Sequence, residues 1–507
     1  MRKLPGAPLD FLLAALSAAL LIVIFPGFGY TFLAPFALVP LLIALAREPR
    51  PKRRFLLGYV TSFIYWFGVC LWIQFVLEVH GGMGRWGGWA VFVLFCLAKA
   101  VHLGIFALLA AIVLRCWYAI PVVAALWVGI ERTHGPLGFA WLALGNAGID
   151  MAVPMRLAPW VGVYGLSFLF SLLSAATAIV ILRRGRKQLL WLALVPALFL
   201  LPELPVPAEP SETAVLVQPK IPEEAEWSPV TARMMHRRVE LLTLETALAV
   251  KPRLIVWPEV PGPIYYYRDP QLRDEVTNLA LTTRAWFLLG TVANTPQGGP
   301  LNSAVLLAPD GSLVDRYDKI NLVPFGEFVP KFFGFVNRIT QEAGDFAPGE
   351  RMVVFPMGEH KVGSFICYES VFPPQVRGFV QQGADLLVNI SNDGYFGHSA
   401  AREQHLSIVR MRAAENRRWI LRATNDGITA SIDPTGRVRE SFPLYTEMAR
   451  GVGYGYVREL TSYTRYGDWF AWGCWIIVAT ALFASQWPHY TARQNRERQR
   501  PGRGVGA

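Results

Sequence analysis

The stretch FICYESVFP, residues 365–373, runs from an apolar, strand-like segment into a thiol, Cys367, and then an acid, Glu369. The other four cysteines, Cys70, Cys96, Cys116 and Cys474, fall within or at the ends of long oily segments, where a thiol behaves as a small apolar side chain. Cys367 therefore has no disulfide partner in its own part of the chain, and a lone thiol in an oxidising compartment is a liability unless it has a use. Whether this run belongs to a membrane bundle or to a water-facing α/β unit decides the fold.

The chain has 507 residues, 53% hydrophobic and 17% charged, with a mean hydropathy of +0.33. That is too apolar for a soluble globular protein and too charged for a bare membrane bundle, so a mixed architecture is expected. The net charge of +11 raises the question of nucleic acid. The basic residues answer it, because they cluster in REPRPKRR (47–54), RRGRK (183–187) and RQNRERQRPGR (493–503), each beside an apolar run. Between Glu212 and Glu459 there are 26 Lys or Arg against 28 Asp or Glu, so the polar part is nearly neutral. The excess is a topology signal, and no nucleic-acid partner is expected.

A bilayer core needs about 20 mostly apolar residues per helix. Runs near 10–27, 30–46, 55–78, 88–114, 117–131, 159–182 and 188–204 read as seven spans of an N-terminal bundle over 1–204. One more, near 469–487, falls in a C-terminal segment 468–490 ahead of a basic tail, 491–507. The MRK start reads as an uncleaved first span, since the apolar run continues past PGFG with no A-x-A-type cleavage site. Placing every Arg/Lys cluster in the cytoplasm requires an odd number of spans before the polar segment and an even total, which about eight spans satisfy. The segment 205–467 then lies outside the cytoplasm and both termini lie inside. Glycines in GGMGRWGG and HGPLGFAWLALGNAG interrupt the pattern between 79 and 160 and leave room for re-entrant pieces.

From about residue 212 the pattern changes. Apolar runs of strand length appear at TAVLVQ (213–218), RLIVW (253–257), AWFLLGTV (285–292), SAVLLA (303–308), VGSFIC (362–367), ADLLVNIS (384–391), WILRAT (419–424) and GITASID (427–433). Helix-like stretches, such as 228–250 and 400–416, lie between several of them. Continuous apolar strands with interleaved helices predict an α/β unit whose sheets are covered.

A free thiol is only about 3% thiolate at neutral pH, so a nucleophilic Cys367 needs a neighbouring base or cation. His236, His360, His398 and His405 give no sign of being a dyad partner, and no Cys or His pair has metal-ligand spacing in this region. No metal or other cofactor is called for. Two strand exits carry suitable groups. LIVWPEVPG delivers Glu259 after an apolar strand, and DRYDKINLVPFGEFVP sets an amine, Lys319, in a loop-like segment followed by Glu327. Taken singly, each reads as a solvated surface residue; taken in the order Glu, Lys, Cys, they are far less ordinary.

That order and its flanks resemble the nitrilase superfamily, whose members carry a Glu-Lys-Cys triad on an αββα sandwich. With the apolar spans added, the chain looks like the membrane-embedded branch of that superfamily, the apolipoprotein N-acyltransferases. The motifs are VQPKIPEEAEW (217–227), VWPE (256–259), RYDKINLVPFGEFVP (316–330), CYE (367–369), SNDGYFG (391–397) and RATNDGITASIDPTG (422–436). The family often has Trp in the SNDGYFG motif where Tyr395 stands.

The resemblance implies a polytopic helical membrane bundle bearing an external nitrilase-like α/β sandwich, in the bacterial inner membrane with the sandwich on the periplasmic side. It implies Glu259 as base, Lys319 as oxyanion donor beside a backbone N–H near Tyr368, and Cys367 as nucleophile. The acyl donor would be a phospholipid such as phosphatidylethanolamine, and the acceptor the diacylglyceryl-cysteine of an apolipoprotein. Glu327 and Glu369 match family acids that support the triad, and Asn302, Trp227, Tyr368 and Tyr395 fall at motif positions. The aromatic runs IYYYR (264–268) and KFFGFVNR (331–338) read either as ordinary core or as lids at the membrane interface. His405, Arg410 and Arg412 read as structural. Two other functions compete. A membrane-tethered C–N hydrolase shares the triad but needs only one anchor. A transporter would line a path with intramembrane charges, for which Lys99 and Glu131 are the clearest candidates.

Overall fold

Short apolar runs become strands when both faces can be covered, and the second half of the chain does this twice. The computed structural model describes residues 6–136, 139–183, 185–206, 209–223, 227–259, 262–324, 326–328 and 346–498. In chain order its strands are β1 (Glu212–Gln218), β2 (Leu254–Val256), β3 (Trp286–Asn294), β4 (Pro300–Leu307), β5 (Leu313–Asp318), β6 (Val354–Met357), β7 (His360–Ile366), β8 (Leu386–Ser391), β9 (Ile420–Thr424), β10 (Ala430–Ile432), β11 (Val438–Ser441) and β12 (Met448–Tyr454). They form two six-stranded sheets, ordered β12-β1-β2-β3-β4-β5 and β11-β10-β9-β8-β7-β6. Each sheet has a parallel centre, β1-β2-β3 in one and β7-β8-β9 in the other.

The strand period of two decides which residues meet. Leu216, Val256, Leu288 and Leu306 of the first sheet share a core with Phe365, Val388 and Leu421 of the second. Alternate residues of the first sheet, Val215, Ile255 and Phe287, point outward onto Met235 and Val239 of the helix Pro229–Val250 and onto Leu272 and Val276 of the helix Pro270–Thr283. The helices Pro373–Gln381 and Ala401–Asn416 supply Phe379, Val409 and Ala413 to the second sheet. The layers are therefore αββα. Two of these helices start where their sequence dictates: Ser228 Oγ accepts from Thr231 N–H at 3.1 Å and Asp269 Oδ1 from Leu272 N–H at 3.1 Å, each with proline at the first helical position.

The apolar first part forms helices α1 (Gly6–Val23), α2 (Val39–Arg47), α3 (Pro51–Val69), α4 (Trp72–Val79), α5 (Gly84–Val113) and α6 (Ala119–Arg132), then a helix Val163–Ile181. A long helix, Trp469–Arg498, ends the described chain. By length and composition, α5 and Val163–Ile181 can cross a membrane, and α3 with α4 would make a third span although a 61° bend separates them. Shorter apolar helical stretches cover Pro8–Val23, Thr31–Arg47, Lys187–Leu200 and Trp469–Ser485. The run read over 55–78 is thus two helices, and Gln404 Nε2 donates to the Val69 carbonyl at 3.3 Å beside the break. Close contact between α3 and α5 depends on Gly58, where a Cβ would come within 2.1 Å of the Leu103 carbonyl oxygen.

Buried polar contacts join the helices to the sandwich. Asp468, ahead of the last helix, accepts from Arg132 at the end of α6 (3.1 Å) and from Arg377 (2.8 Å). Trp141 Nε1 donates to Gln404 Oε1 at 2.7 Å, and Val163 N–H to Glu415 Oε1 at 2.8 Å. These bonds tie the end of α6, the Trp141 loop, the start of Val163–Ile181 and the approach to the last helix to the sandwich.

Candidate active site

The C-terminal ends of parallel strands leave side chains free of the ladder, and four chemistry-bearing residues occupy such exits. Glu259 follows β2, Cys367 follows β7 directly, and Asn392 and Asp393 follow β8. Lys319 follows the antiparallel strand β5, so the segment read as a loop around it is a strand up to Asp318.

Lys319 is 1% exposed, and its ammonium donates to Glu259 Oε1 at 3.1 Å and Glu327 Oε1 at 2.9 Å. Burial disfavours the ammonium, but the charges of Glu259 and then Glu327 outweigh it and hold Lys319 well above the ordinary lysine range. Asn302 Nδ2 bridges the same two oxygens, at 2.7 Å each. Asn392 N–H fixes the other oxygen of Glu259 at 2.8 Å, and Val323 N–H that of Glu327 at 2.8 Å. Among the described residues two of the three ammonium donors are thus used, which leaves one for a ligand.

Cys367 sits at φ +48, in the left-handed region, where a non-glycine residue costs about 1–2 kcal/mol. The sharp turn from β7 into a short 3₁₀ helix, Cys367–Val371, lifts the thiol out of the sheet. Burial, and after it the charge of Glu259, push the thiol well above its ordinary range, while Lys319 pulls the other way. The resting group is a neutral thiol that needs a base.

Glu369 lies elsewhere than Glu327. Among the described residues it pairs with no ammonium; Oε1 accepts from Tyr317 OH (2.7 Å), Ile320 N–H (2.7 Å) and Asn321 N–H (3.2 Å), and Oε2 from Ile366 N–H (2.8 Å). Burial raises its pKa against these donors. The carboxylate ties the backbone after Lys319 to the backbone before Cys367. Glu369→Gln replaces an acceptor by an N–H facing donors, so it is expected to destabilise the fold by about 1–3 kcal/mol, read as a lower midpoint of thermal unfolding. An unchanged midpoint would remove this bracing role.

Residues to which the sequence assigns no chemical role support the thiol from behind. His405, fully buried, bonds to the Cys367 carbonyl (3.1 Å), Ser370 Oγ (2.9 Å) and Asp393 Oδ1 (3.1 Å). Arg422 Nη2 donates to Asp393 Oδ2 at 2.7 Å. Burial opposes the charge of Asp393, but Arg422 and His405 hold its carboxyl well below the usual carboxylate range. Glu223 is the other omission: burial first, with Asp426 and Glu259 adding to it, raises its carboxyl to about 7. Its only signal in the sequence is its place in IPEE.

Glu259, Lys319 and Cys367 line a cavity of about 390 Å³ whose far wall is helical. Trp72, Val76 and Leu77 of α4 and Phe95 and Lys99 of α5 face Cys367, Glu259 and Lys319 across it. Tyr368 and Tyr395 complete the rim. Tyr368 OH donates to the Ala140 carbonyl at 3.3 Å, and the Tyr395 ring lies 4.2 Å from that of His80. Trp227 is not among the lining residues; it is 39% exposed, beside Gly262. Of IYYYR, Ile264 and Tyr266 are core, whereas Tyr265 and Tyr267 reach the surface. KFFGFVNR lies outside the described residues.

Two family models match the chain: "Apolipoprotein N-acyltransferase N-terminal domain" over residues 17–176 and "Carbon-nitrogen hydrolase" over 214–457. An apolipoprotein N-acyltransferase of Geobacter metallireducens is 34% identical, covering 94% of this chain and 95% of that protein. That of Methylococcus capsulatus is 31% identical over 97% and 99%, and that of Thermotoga maritima 30% over 94% and 93%. A solved amidase of Nesterenkonia from the nitrilase superfamily is 17% identical with a TM-score of 0.40, covering 53% of this chain and 99% of that one. With its helical and its sandwich parts both matched, and a relative 34% identical along nearly the full length, the chain belongs to the apolipoprotein N-acyltransferase family.

Proposed function

We propose that this protein moves a fatty acyl group from a membrane phospholipid, through a thioester on Cys367, to the α-amino group of the N-terminal diacylglyceryl-cysteine of an apolipoprotein. The observation that carries the reading is the cavity itself: a buried thiol, carboxylate and ammonium are roofed by apolar side chains of α4 and α5. A pocket of that composition accepts an acyl chain and excludes water, the competing nucleophile.

In the first half-reaction Glu259 takes the Cys367 proton and the sulfur attacks the ester carbonyl. The free donor of Lys319, with the Tyr368 N–H, receives the oxyanion. The C–O bond then breaks, the lysophospholipid oxygen takes the proton back from Glu259, and the thioester remains. In the second, Glu259 deprotonates the incoming ammonium-derived amine, which attacks the thioester; the C–S bond breaks and the proton returns to sulfur. An amide replaces an ester, so the sequence runs downhill without ATP. The membrane part serves both lipid-borne substrates. Eight spans, with the sandwich on the periplasmic side of a bacterial inner membrane and both termini in the cytoplasm, complete the proposal.

Incubation with phosphatidylethanolamine labelled in its acyl chain is expected to give a hydroxylamine-sensitive label on the native enzyme, discharged to the amine of a diacylglyceryl peptide. No label overturns the transferase reading, and release of free fatty acid whether or not peptide is present identifies a hydrolase. Lys319→Ala is expected to slow label formation about 10²–10³-fold by removing an oxyanion donor. Full activity in that variant would take Lys319 out of the chemistry.

A further inference from the structure

One cation in the catalytic cavity is left unused by this scheme. Lys99, halfway along α5, is 4% exposed and lines the helical wall opposite Cys367. Its ammonium donates to the Phe139 carbonyl at 2.8 Å and lies 4.8 Å from the centre of the Trp66 ring. Among the described residues it has no carboxylate partner. A carbonyl and an aromatic face occupy one donor and part of the charge, and an ammonium carries three N–H groups. A buried cation without a counter-charge is costly, and in an apolar helical setting such a residue marks a ligand path.

The remaining lining of that wall is apolar, so a ligand answering to it combines an anion with hydrocarbon. Lys319 is held by Glu259 and Glu327, and its one remaining N–H is assigned to the oxyanion, so the phosphate falls to the other cation of the cavity. A glycerophospholipid has that composition, with its phosphate on the glycerol carbon next to an acyl ester. We propose that Lys99 forms the phosphate subsite of the acyl donor. Its ammonium takes an unesterified phosphate oxygen while the neighbouring ester carbonyl is presented to the Cys367 sulfur and the acyl chain lies along Val76, Leu77 and Phe95. The inference rests on the reading of a phospholipid as donor. Lys99 is then a residue of donor specificity and takes no part in proton transfer.

The test compares Lys99→Met with the native full-length enzyme in dodecyl maltoside, using phosphatidylglycerol and diacylglycerol as donors that differ by the phosphoglycerol headgroup, whose phosphate carries its only charge. The expected result is a fall of about tenfold or more in the ratio of kcat/KM for phosphatidylglycerol to that for diacylglycerol, carried by KM. An equal loss with both donors, or no loss, overturns the subsite, since Lys99 would then only brace Phe139 or do nothing. A second measurement needs no turnover. The ³¹P signal of a dialkyl-ether phosphatidylglycerol is expected to shift on adding Cys367→Ala protein and to stay unshifted with Cys367→Ala/Lys99→Met. A Lys99-dependent shift beside a native enzyme that no phospholipid acylates would sink the transferase reading and keep the subsite. Acylation of the native enzyme with a Lys99-independent shift would do the reverse.

Discussion

Cys367→Ala is expected to form no hydroxylamine-sensitive acyl adduct and to lose acyl transfer by about 10⁴-fold or more, because Cys367 is the only thiol among the described residues that line the cavity. The same variant is expected to fold as the native chain does. Alanine has the same Cβ as cysteine and meets the same cost at φ +48, and the bonds from Glu369 and His405 reach backbone atoms on either side that the substitution leaves in place. Cys367→Gly isolates the strain: it is equally inactive, but relieved of the left-handed penalty it should be more stable than the alanine variant by about 1 kcal/mol in thermal unfolding. An acyl label persisting in Cys367→Ala would mean that another nucleophile does the work.

Glu259→Gln is expected to slow acylation by about 10²–10⁴-fold, the usual loss when a positioned general base is removed. Charge and basicity give opposite signatures here. The Glu259 carboxylate is the leading charge that keeps the thiol protonated, so its removal makes the thiol more acidic. Alkylation by iodoacetamide at neutral pH should therefore quicken in Glu259→Gln while acylation slows. If both slowed together, the defect would be one of access or folding. Unchanged acylation would exclude Glu259 as the base.

The sheet centres were legible because parallel strands covered on both faces must be written as unbroken apolar runs. RLIVW, ADLLVNIS and WILRAT contain β2, β8 and β9. Edge strands were not. LVDRYD (β5) and VRES (β11) carry charges because one face stays partly exposed, and that pattern reads as loop. Site residues at strand exits could be listed in order, but not their partners. That Asn302 bridges Glu259 and Glu327, and that Glu369 grips Ile320, depend on loops meeting across the sheets, which no local window encodes. His405 reads as structural from the sequence, but its contacts with Asp393 and the Cys367 carbonyl arise only when that helix packs behind the thiol. Lys99 was visible as an intramembrane charge, yet its place in the cavity required α5 to be docked.

The division of the cavity between two structural classes bears on how inhibitors are sought. Residues 209–457 cut free would keep Glu259, Lys319 and Cys367 but lose Trp72, Val76, Phe95 and Lys99, so compounds screened against that fragment would meet half a pocket open to water. Hits would be selected for reactivity with a thiol, and medicinal chemistry would then optimise against a shape the intact enzyme does not present.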